Sequence, residues 1–290
     1  MIGPGRSPES IASFDHSQYR AAALVEAKHG RSVSVCLPAR NEEATVGDIV
    51  AVVRRDLIER VRLVDEIVVV DDGSTDRTAD HAARAGARVV TLIPTTAGAG
   101  DGSGKGQALA RATVEATGDI VVFLDADVRN FGPHFVTGLL GPLLLRPEVA
   151  FVKAFYRRPL HGRRGEGGRV SELVARPLLA RLFPHLSGVV QPLAGECAAQ
   201  RRVLEEVDFA DGYGVELAML IDVARRFGVG CLAQVDLGER VHRNRPLAEL
   251  RSQAAAVLDV ALARAGIAGV DGYDGDQAFM AVTATDRRLA

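Results

Sequence analysis

The sequence predicts an α/β fold with a parallel sheet that is covered by helices on both faces. Between Val33 and Leu124, short aliphatic runs alternate with segments of helical periodicity, and the connections are short. The run 67–70 is apolar without interruption, as is typical of a strand buried on both faces. Strand–helix–strand units of this kind place their strands parallel and cross over with a right hand.

The elements of the first half follow from this alternation. Apolar runs predict strands over 33–37, 66–71, 87–92 and 120–124. Helical periodicity predicts helices over 43–55, 75–85 and 106–116. Glu42 and Glu43 favour the first of these helices through its dipole, and Ser74 or Thr75 is the expected N-cap of the second.

The second half is less regular. Strands are predicted over 150–155 and 231–236, and helices over 170–182, 215–227 and 247–265. Pro177 is expected to bend the first of these helices. The second is mostly apolar and should be buried. The third is amphipathic, because six apolar residues share one face: Leu250, Ala254, Val257, Leu258, Ala261 and Leu262.

The chain divides into an arm and two halves. Residues 1–20 lack periodicity and an apolar core, which predicts a flexible N-terminal arm and argues against a signal peptide. A first half covers 21–153, and a second half covers 154–290 and ends in the amphipathic helix and a tail. The low-complexity stretch 97–106 is too short for a linker, so we expect two subsites on one continuous core.

Composition excludes several classes of protein. The 290 residues carry 35 Lys and Arg against 37 Asp and Glu, a net charge of -2, which argues against a basic nucleic-acid binder. No apolar run approaches the roughly 20 residues of a membrane span. The three widely spaced cysteines suit neither a disulfide framework nor a zinc cluster, and they indicate a reduced, cytoplasmic setting.

Polar residues follow three of the predicted strands, at 38–43, 71–76 and 125–127. Ligands of parallel sheets lie beyond the carboxyl ends of the strands, so we expect these segments to converge on one site. Clustered carboxylates repel unless a cation or a donor-rich ligand offsets them. Asp125 and Asp127 suit Mg²⁺ or Mn²⁺, which would bridge a diphosphate. A plain aspartate turn is the alternative.

Two basic features indicate anion binding. Lys105 lies between glycines at a helix start, where backbone N–H groups and the ammonium favour phosphate; a plain loop is the alternative. Residues 157–169 contain five arginines and one acidic residue, Glu166, and a helix is predicted to begin at 167–171. Because arginine binds phosphate and carboxylate bidentately, this segment predicts a pocket for a small polyanion unless it is a solvated loop. The arginines are Arg157, Arg158, Arg163, Arg164 and Arg169.

These motifs together resemble a known family. The segments 38–43 (Pro-Ala-Arg-Asn-Glu-Glu), 70–76 (Val-Asp-Asp-Gly-Ser-Thr-Asp), 104–106 (Gly-Lys-Gly) and 125–127 (Asp-Ala-Asp) resemble GT-A nucleotide-sugar glycosyltransferases. Five narrower motifs, at 155–160, 167–178, 191–196, 212–216 and 242–246, resemble the glucosyl-3-phosphoglycerate synthases of actinobacteria. The resemblance runs from about residue 20 to about residue 265. It implies a Rossmann-like GT-A fold with a mixed, mainly parallel central sheet, a donor-binding half over 21–153 and an acceptor-binding half over 154–290.

The resemblance also implies roles for individual residues. Asp127 and His242 would hold Mg²⁺ or Mn²⁺, and Lys105, Glu216 and Asp127 would act in catalysis. The donor would contact Pro38, Arg40, Glu42, Asp72, Lys105, Asp125, Leu193, Tyr213, Glu216 and Arg240. The acceptor would contact Gly168, Arg169, Ser171 and Asn244. Plainer alternatives remain open: Glu42 and Glu216 as helix starts, and His242 as a surface residue.

The implied activity is the retaining transfer of glucose from UDP-glucose to the 2-hydroxyl of 3-phosphoglycerate, by a homodimer. No residue presents itself as a covalent nucleophile, so we expect same-face attack with the departing phosphate accepting the proton. The alternatives are a GDP-mannose-dependent mannosyl-3-phosphoglycerate synthase, another GT-A sugar transferase and a non-catalytic relative. A dinucleotide-binding oxidoreductase or module would have Gly-x-Gly-x-x-Gly after the first strand, where Pro38-Ala39-Arg40 stand instead.

Overall fold

The computed structural model describes residues 11–92, 104–158, 168–241 and 247–267, with the backbone alone at 247–249. Its strands are β1 (Ala12–Asp15), β2 (Val33–Ala39), β3 (Glu66–Asp71), β4 (Arg88–Thr91), β5 (Ile120–Phe123), β6 (Phe151–Arg157), β7 (Cys197–Gln200) and β8 (Leu232–Glu239). Its helices are α1 (Ala21–Ala27), α2 (Val46–Val53), α3 (Thr78–Ala85), α4 (Lys105–Glu115), α5 (His134–Leu145), α6 (Arg176–Leu182), α7 (Arg201–Leu204), α8 (Val215–Phe227) and α9 (Leu247–Arg264). A π-helical turn at Arg54–Glu59 continues α2, and another at Ser171–Ala175 precedes α6.

The described strands form one sheet in the order β1-β8-β6-β7-β5-β2-β3-β4. The pairs β1–β8, β8–β6, β5–β2, β2–β3 and β3–β4 are parallel, whereas β7 runs antiparallel to both β5 and β6. The predicted fold class, α/β with a mixed, mainly parallel sheet, is therefore confirmed.

The register of the central strands brings three polar segments to one edge of the sheet. Ala39 in β2 lies opposite Asp71 in β3, and Cys36 lies opposite Phe123 in β5. The chain leaves β5 at Leu124, whose N–H donates to the carbonyl of Cys36 at 3.0 Å. The turns after β2, β3 and β5 consequently open at the same carboxyl edge, as the sequence predicted.

Two apolar layers cover the sheet. On one face, Val33, Val35 and Leu37 of β2 pack with residues of α2 and α5. On the other face, Cys36 packs with residues of α4, α6 and α8. Burying one large aliphatic side chain contributes roughly 1.5–3 kcal/mol, so these layers fix the strands rigidly below the loops.

The N-terminal arm is a correction. Residues 12–15 form the edge strand β1, in which Ala12 pairs with Ala233 of β8. The ring Nδ1 of His16 lies 2.9 Å from the carbonyl oxygen of Asp236 and ties the chain to the same strand. A flexible arm is therefore wrong for residues 11–20, while residues 1–10 lie outside the described part. A four-residue edge strand is too short to show a period of two in the sequence.

The helix predicted over 75–85 begins three residues later, at Thr78. The carboxylate of Asp76, and neither Ser74 nor Thr75, accepts the N–H of Thr78 at 3.0 Å. Ser74 and Thr75 are used elsewhere, because Ser74 Oγ accepts the N–H of Asn41 and the N–H of Thr75 donates to Asn41 Oδ1. These bonds fasten the turn after β2 to the turn after β3.

The helix predicted over 170–182 changes geometry at the π-helical turn Ser171–Ala175, and not at Pro177. Pro177 lies in the first turn of α6, directly after this π-helical turn. The sequence patterns also missed α5. All residues of 135–144 are buried, so this helix has no polar face to produce a period.

None of the described helices is long and apolar enough to cross a membrane. The cysteines Cys36, Cys197 and Cys231 are buried free thiols. Burial raises the pKa of Cys36 to about 12 and the pKa values of Cys197 and Cys231 to about 11. These thiols are core residues with little thiolate character.

Candidate active site

A cleft of about 720 Å³ opens at the carboxyl edge of β2, β3 and β5. Most of the predicted site residues within the described part of the chain line this cleft, whereas Arg157, at the end of β6, is exposed and does not. Those that line it include Pro38, Arg40, Glu42, Asp72, Lys105, Asp125, Asp127, Gly168, Arg169, Ser171, Leu193, Tyr213, Glu216 and Arg240. The predicted residues His242 and Asn244, together with Arg163 and Arg164, lie outside the described residues.

Lys105 joins two carboxylates at the floor of the cleft. It opens α4, and its Nζ lies 2.6 Å from Asp125 Oδ1 and 2.6 Å from Glu216 Oε1. Burial opposes the charged form, but the two carboxylates outweigh it and raise the pKa of Lys105 well above its usual value. The lysine is therefore a fixed positive charge.

Arg240 holds the other side of the aspartate pair. It follows β8, is 4% exposed, and its Nη2 lies 2.8 Å from Asp125 Oδ2 and 2.6 Å from Asp127 Oδ1. Burial raises the pKa of Asp125, yet Lys105 and Arg240 together hold that pKa well below its ordinary range. Asp125 is consequently ionised, with one oxygen on each cation.

A buried polar network supports Arg240 from below. The hydroxyl of Tyr156 donates to Glu196 Oε2 at 2.6 Å and accepts from Arg158 at 2.7 Å and from Arg240 at 3.1 Å. The Nε of Arg240 lies 3.1 Å from Glu196 Oε1. Burial raises the pKa values of both Tyr156 and Glu196 above their usual ranges.

Sequence reasoning missed most of this network. It named only Leu193 of the 191–196 motif as a donor contact and gave Glu196 no role, and the side chain of Glu196 is fully buried against Tyr156 and Arg240. The available signal was Tyr156, a polar residue at the end of a mostly apolar run, with two arginines directly after it. The sequence also assigned no cleft residue to α9, which contributes Leu250, Gln253 and Val257.

A second group of charges lies where the turns after β2 and β3 meet. Arg40 Nη1 lies 3.7 Å from Asp72 Oδ2, and the N–H of Gly104 donates to Asp72 Oδ1 at 3.2 Å. Asn41, at φ 57, adopts the left-handed conformation that asparagine tolerates. Its side chain holds Thr75, so the wall of the cleft is built from both turns.

The Gly168–Ser171 segment forms the opposite wall. Gly168 has φ +77, which favours glycine, and Ser171 is 3% exposed at the start of the π-helical turn. Arg158 borders this wall, since a Cβ on Gly168 would lie 3.8 Å from Arg158 Nη1. The guanidinium group of Arg158 therefore links the buried network to the Gly168–Ser171 segment.

Gly195 allows the chain to approach Asp125 closely. A Cβ built on it would overlap the carboxylate of Asp125. Gly106 similarly has no room for a side chain, because a Cβ there would overlap the carbonyl oxygen of Ala210. Two glycines thus let the chain pack tightly against Asp125 and the start of α4.

The donor set of Asp125 and Asp127 suits a hard divalent cation. Both carboxylates line the cleft, with 17% and 26% of their side chains exposed. Within the described residues no group of three His, Cys, Asp or Glu forms a complete cage. Two carboxylates, with water and substrate phosphate taking the remaining positions, are a typical magnesium arrangement.

Comparisons with known proteins agree with this geometry. A family model described as glycosyl transferase family 2 matches residues 34–207. A glucosyl-3-phosphoglycerate synthase from Mycolicibacterium smegmatis is 47% identical, over 88% of this chain and 84% of its own. The chain belongs to glycosyl transferase family 2, and within that family it groups with the glucosyl-3-phosphoglycerate synthases.

Solved structures give the same grouping. The Mycobacterium tuberculosis glucosyl-3-phosphoglycerate synthase in complex with Mn²⁺, UDP-glucose and phosphoglyceric acid is similar at a TM-score of 0.80 and 45% identity, over 89% of both chains. A complex of that synthase with Mg²⁺ and UDP is similar at a TM-score of 0.80 and 44% identity, over 92% of both chains.

Proposed function

We propose that the protein is a metal-dependent retaining glycosyltransferase that transfers glucose from UDP-glucose to the 2-hydroxyl of 3-phosphoglycerate. One observation carries the proposal: the Lys105–Asp125–Glu216 cluster and the Gly168–Ser171 segment line the same cleft. A donor site and an anion-binding acceptor site are thereby within reach of one another. The M. tuberculosis relative, whose complex contains UDP-glucose and phosphoglyceric acid, supports this assignment.

In this proposal the donor lies along the edge of β2 and β3. Pro38, Arg40, Glu42 and Asp72 bind the uracil and ribose, where the paired turns give a fixed wall. The sugar lies deeper, against Leu193, Tyr213 and Glu216. Glu216 is almost buried, so its contact with sugar hydroxyls excludes water and is correspondingly selective.

Departure of UDP needs positive charge at the diphosphate. By the family resemblance Asp127 and His242 would hold Mg²⁺ or Mn²⁺, with Asp125 nearer the donor ribose and the metal, and the ion would supply Lewis-acid stabilisation of the leaving phosphate. Lys105 adds a preorganised ammonium at the N-terminus of α4. Arg240 contacts both aspartates and so fixes their carboxylates relative to one another.

The acceptor binds by its two anionic groups. Gly168, Arg169, Ser171 and Asn244 form the pocket, and Arg158 faces it from the buried network. The Nε of Arg158 is buried without a hydrogen-bond partner in the described structure, so the guanidinium retains capacity for an anion. Holding the acceptor by phosphate and carboxylate orients its 2-hydroxyl toward the anomeric carbon.

The proposed stereochemistry is retention by same-face attack. Three carboxylates in the cleft already form ion pairs with Lys105 or Arg240, so none of them is presented as a nucleophile: Asp125, Asp127 and Glu216. The departing phosphate would accept the acceptor proton. A trapped glucosyl-enzyme adduct, or an inverted anomeric signal in the product by NMR, would contradict this part of the proposal.

The assay combines purified protein, Mg²⁺, 3-phosphoglycerate and one sugar nucleotide at a time: UDP-glucose, GDP-glucose or GDP-mannose. We expect nucleotide release that requires 3-phosphoglycerate and is greatest with UDP-glucose. Release that ignores 3-phosphoglycerate would refute the acceptor, and preference for GDP-mannose would refute the donor. Arg169→Ala should raise the KM for 3-phosphoglycerate at least about tenfold and leave the KM for UDP-glucose nearly unchanged.

We also propose that the enzyme is a cytoplasmic homodimer. Leu258 of α9 is 40% exposed on an otherwise amphipathic helix, which supports a contact between copies. Light scattering of the purified protein tests the dimer, and a monomeric mass at micromolar concentration would contradict it. Three buried thiols without a disulfide suit a reducing compartment.

A further inference from the structure

The chain contains three lysines, and Lys153 is the one that neither the proposed mechanism nor an ion pair explains. Lys28 pairs with Asp65 at 2.5 Å, and Lys105 bridges Asp125 and Glu216. Lys153 is 2% exposed, and its Nζ has no hydrogen-bond partner in the described structure. A charged amine that is buried without a partner destabilises the fold, so packing alone does not explain a lysine at this position.

Lys153 extends toward the layer that carries the donor site. In β6 it follows Val152 and precedes Ala154, both of which pack on the opposite face. Phe151 and the cross-strand neighbour Cys197 belong to the layer under α4 and α8. By alternation along the strand, Lys153 points into that same layer, where α8 begins with Glu216 at its first turn.

Four titratable groups act on Lys153. Burial lowers its pKa, Cys197, Glu216 and Asp125 oppose that shift, and Lys105 adds to it. The two carboxylates in this set are the ones that Lys105 bridges on the cleft side. The alternation along β6 thus places the amine in the buried layer under α4 and α8, whose first residues carry this charge cluster, and the amine has no hydrogen bond to the cluster in the described structure.

Binding of the donor would give Lys105 a third anionic partner. Its Nζ already lies 2.6 Å from each of two carboxylates, and the donor diphosphate would be added to them. We propose that Lys153 is a positioning residue, which donates to Glu216 from below when Lys105 engages the diphosphate and so keeps that carboxylate facing the sugar. An amine can donate whether it is protonated or neutral. The inference rests on the proposed function, because the diphosphate is that of the donor.

The first test uses the unmodified protein with ¹⁵Nζ-labelled lysine. Three lysines give at most three side-chain signals, and Lys153→Met assigns the one of interest. On addition of UDP and Mg²⁺ we expect the Lys153 signal to shift and to exchange more slowly with solvent, while the Lys28 signal stays fixed. Glu216→Met should abolish the shift. A Lys153 signal that ignores UDP and Mg²⁺ in the wild-type protein would overturn the proposal.

The second test is a double-mutant cycle in kinetics. Lys153→Met should lower kcat about tenfold with the KM for 3-phosphoglycerate nearly unchanged, and it should cause little further loss in a Glu216→Met background. Lys153→Arg should restore part of kcat. Equal losses in both backgrounds would indicate a structural role and overturn the proposal. If Lys153→Met does not fold, Lys153→Arg assigns the signal instead, and the labelled wild-type protein decides. Absence of glucose transfer by the wild-type enzyme would instead refute the proposed function.

Discussion

Replacing Gly195 by alanine would push a methyl group into the carboxylate of Asp125. The added Cβ would overlap Oδ1, Oδ2 and Cγ together, so rotating the carboxylate cannot relieve the contact. Asp125 would have to retreat by about 1 Å, a misplacement that can cost on the order of 100-fold in rate at a catalytic site.

A retreat of Asp125 would lengthen its two ion pairs, with Lys105 and with Arg240. Asp125 Oδ1 lies 2.6 Å from Lys105 Nζ, and Oδ2 lies 2.8 Å from Arg240 Nη2. Both would exceed hydrogen-bonding distance after a movement of about 1 Å. We expect kcat/KM for UDP-glucose to fall about 100-fold, equivalent to about 2.7 kcal/mol of transition-state stabilisation.

The assay is nucleotide release at saturating Mg²⁺ and 3-phosphoglycerate, with thermal unfolding recorded on the same samples. Gly188→Ala is the matched control, because nothing lies within 4 Å of a Cβ at that glycine. It should keep kcat/KM within about twofold of the wild-type value. If Gly195→Ala retained kcat/KM within threefold, or if the control lost as much, the argument from Asp125 placement would be refuted.

Three further predictions follow from the described contacts. Asp127→Asn should raise the Mg²⁺ concentration for half-maximal transfer at least about tenfold, since a neutral amide binds Mg²⁺ more weakly than a carboxylate; metal titration measures it. Tyr156→Phe should lower the free energy of unfolding in denaturant by about 1–3 kcal/mol, because buried Glu196 loses its 2.6 Å hydrogen bond. Burial opposes ionisation of Glu66, but hydrogen bonds including that from Ser34 hold its pKa below the ordinary value. The ionised Glu66 carboxylate stabilises the fold above the unfolded pKa of about 4.3, and this stabilisation is lost as the pH falls through the lower folded pKa. Glu66→Gln should therefore make the free energy of unfolding depend less on pH between about pH 5 and 3.

Each of these has a contrary outcome. An unchanged metal requirement would remove Asp127 from the cation site. Equal denaturant midpoints for Tyr156→Phe and wild type would mean that Glu196 finds another donor. A Glu66→Gln profile parallel to that of the wild type would assign the acid sensitivity to other carboxylates.

The converging strand ends were predictable from the sequence because parallel strands impose a common edge. Once 33–37, 66–71 and 120–124 are strands of one sheet, Arg40, Asp72 and Asp125 have to emerge together. The contact between Lys105 and Glu216 was not predictable in this way. Glu216 reaches Lys105 from α8, more than a hundred residues later, and no spacing rule connects the two.

The remaining misses share a physical cause. The burial of a polar side chain can be predicted only when its hydrogen-bond partners are known. The partners of Tyr156 come from three different segments of the chain. β1 (Ala-Ser-Phe-Asp) and β7 (Cys-Ala-Ala-Gln) have four residues each and lack the aliphatic run that revealed the equally short β5. The motif around Gly195 was visible, but its reason, contact with Asp125, is a tertiary one.

The position of β7 has a consequence for how the chain folds. Although it belongs to the second half of the sequence, it is inserted between β5 and β6 and pairs with both. A fragment ending near residue 153 would leave β5 with an unpaired edge, and such an edge readily recruits other strands. The two halves of the chain thus share one sheet and are not independent folding units. We therefore expect that neither half keeps its strand pairing when it is transplanted alone to another scaffold.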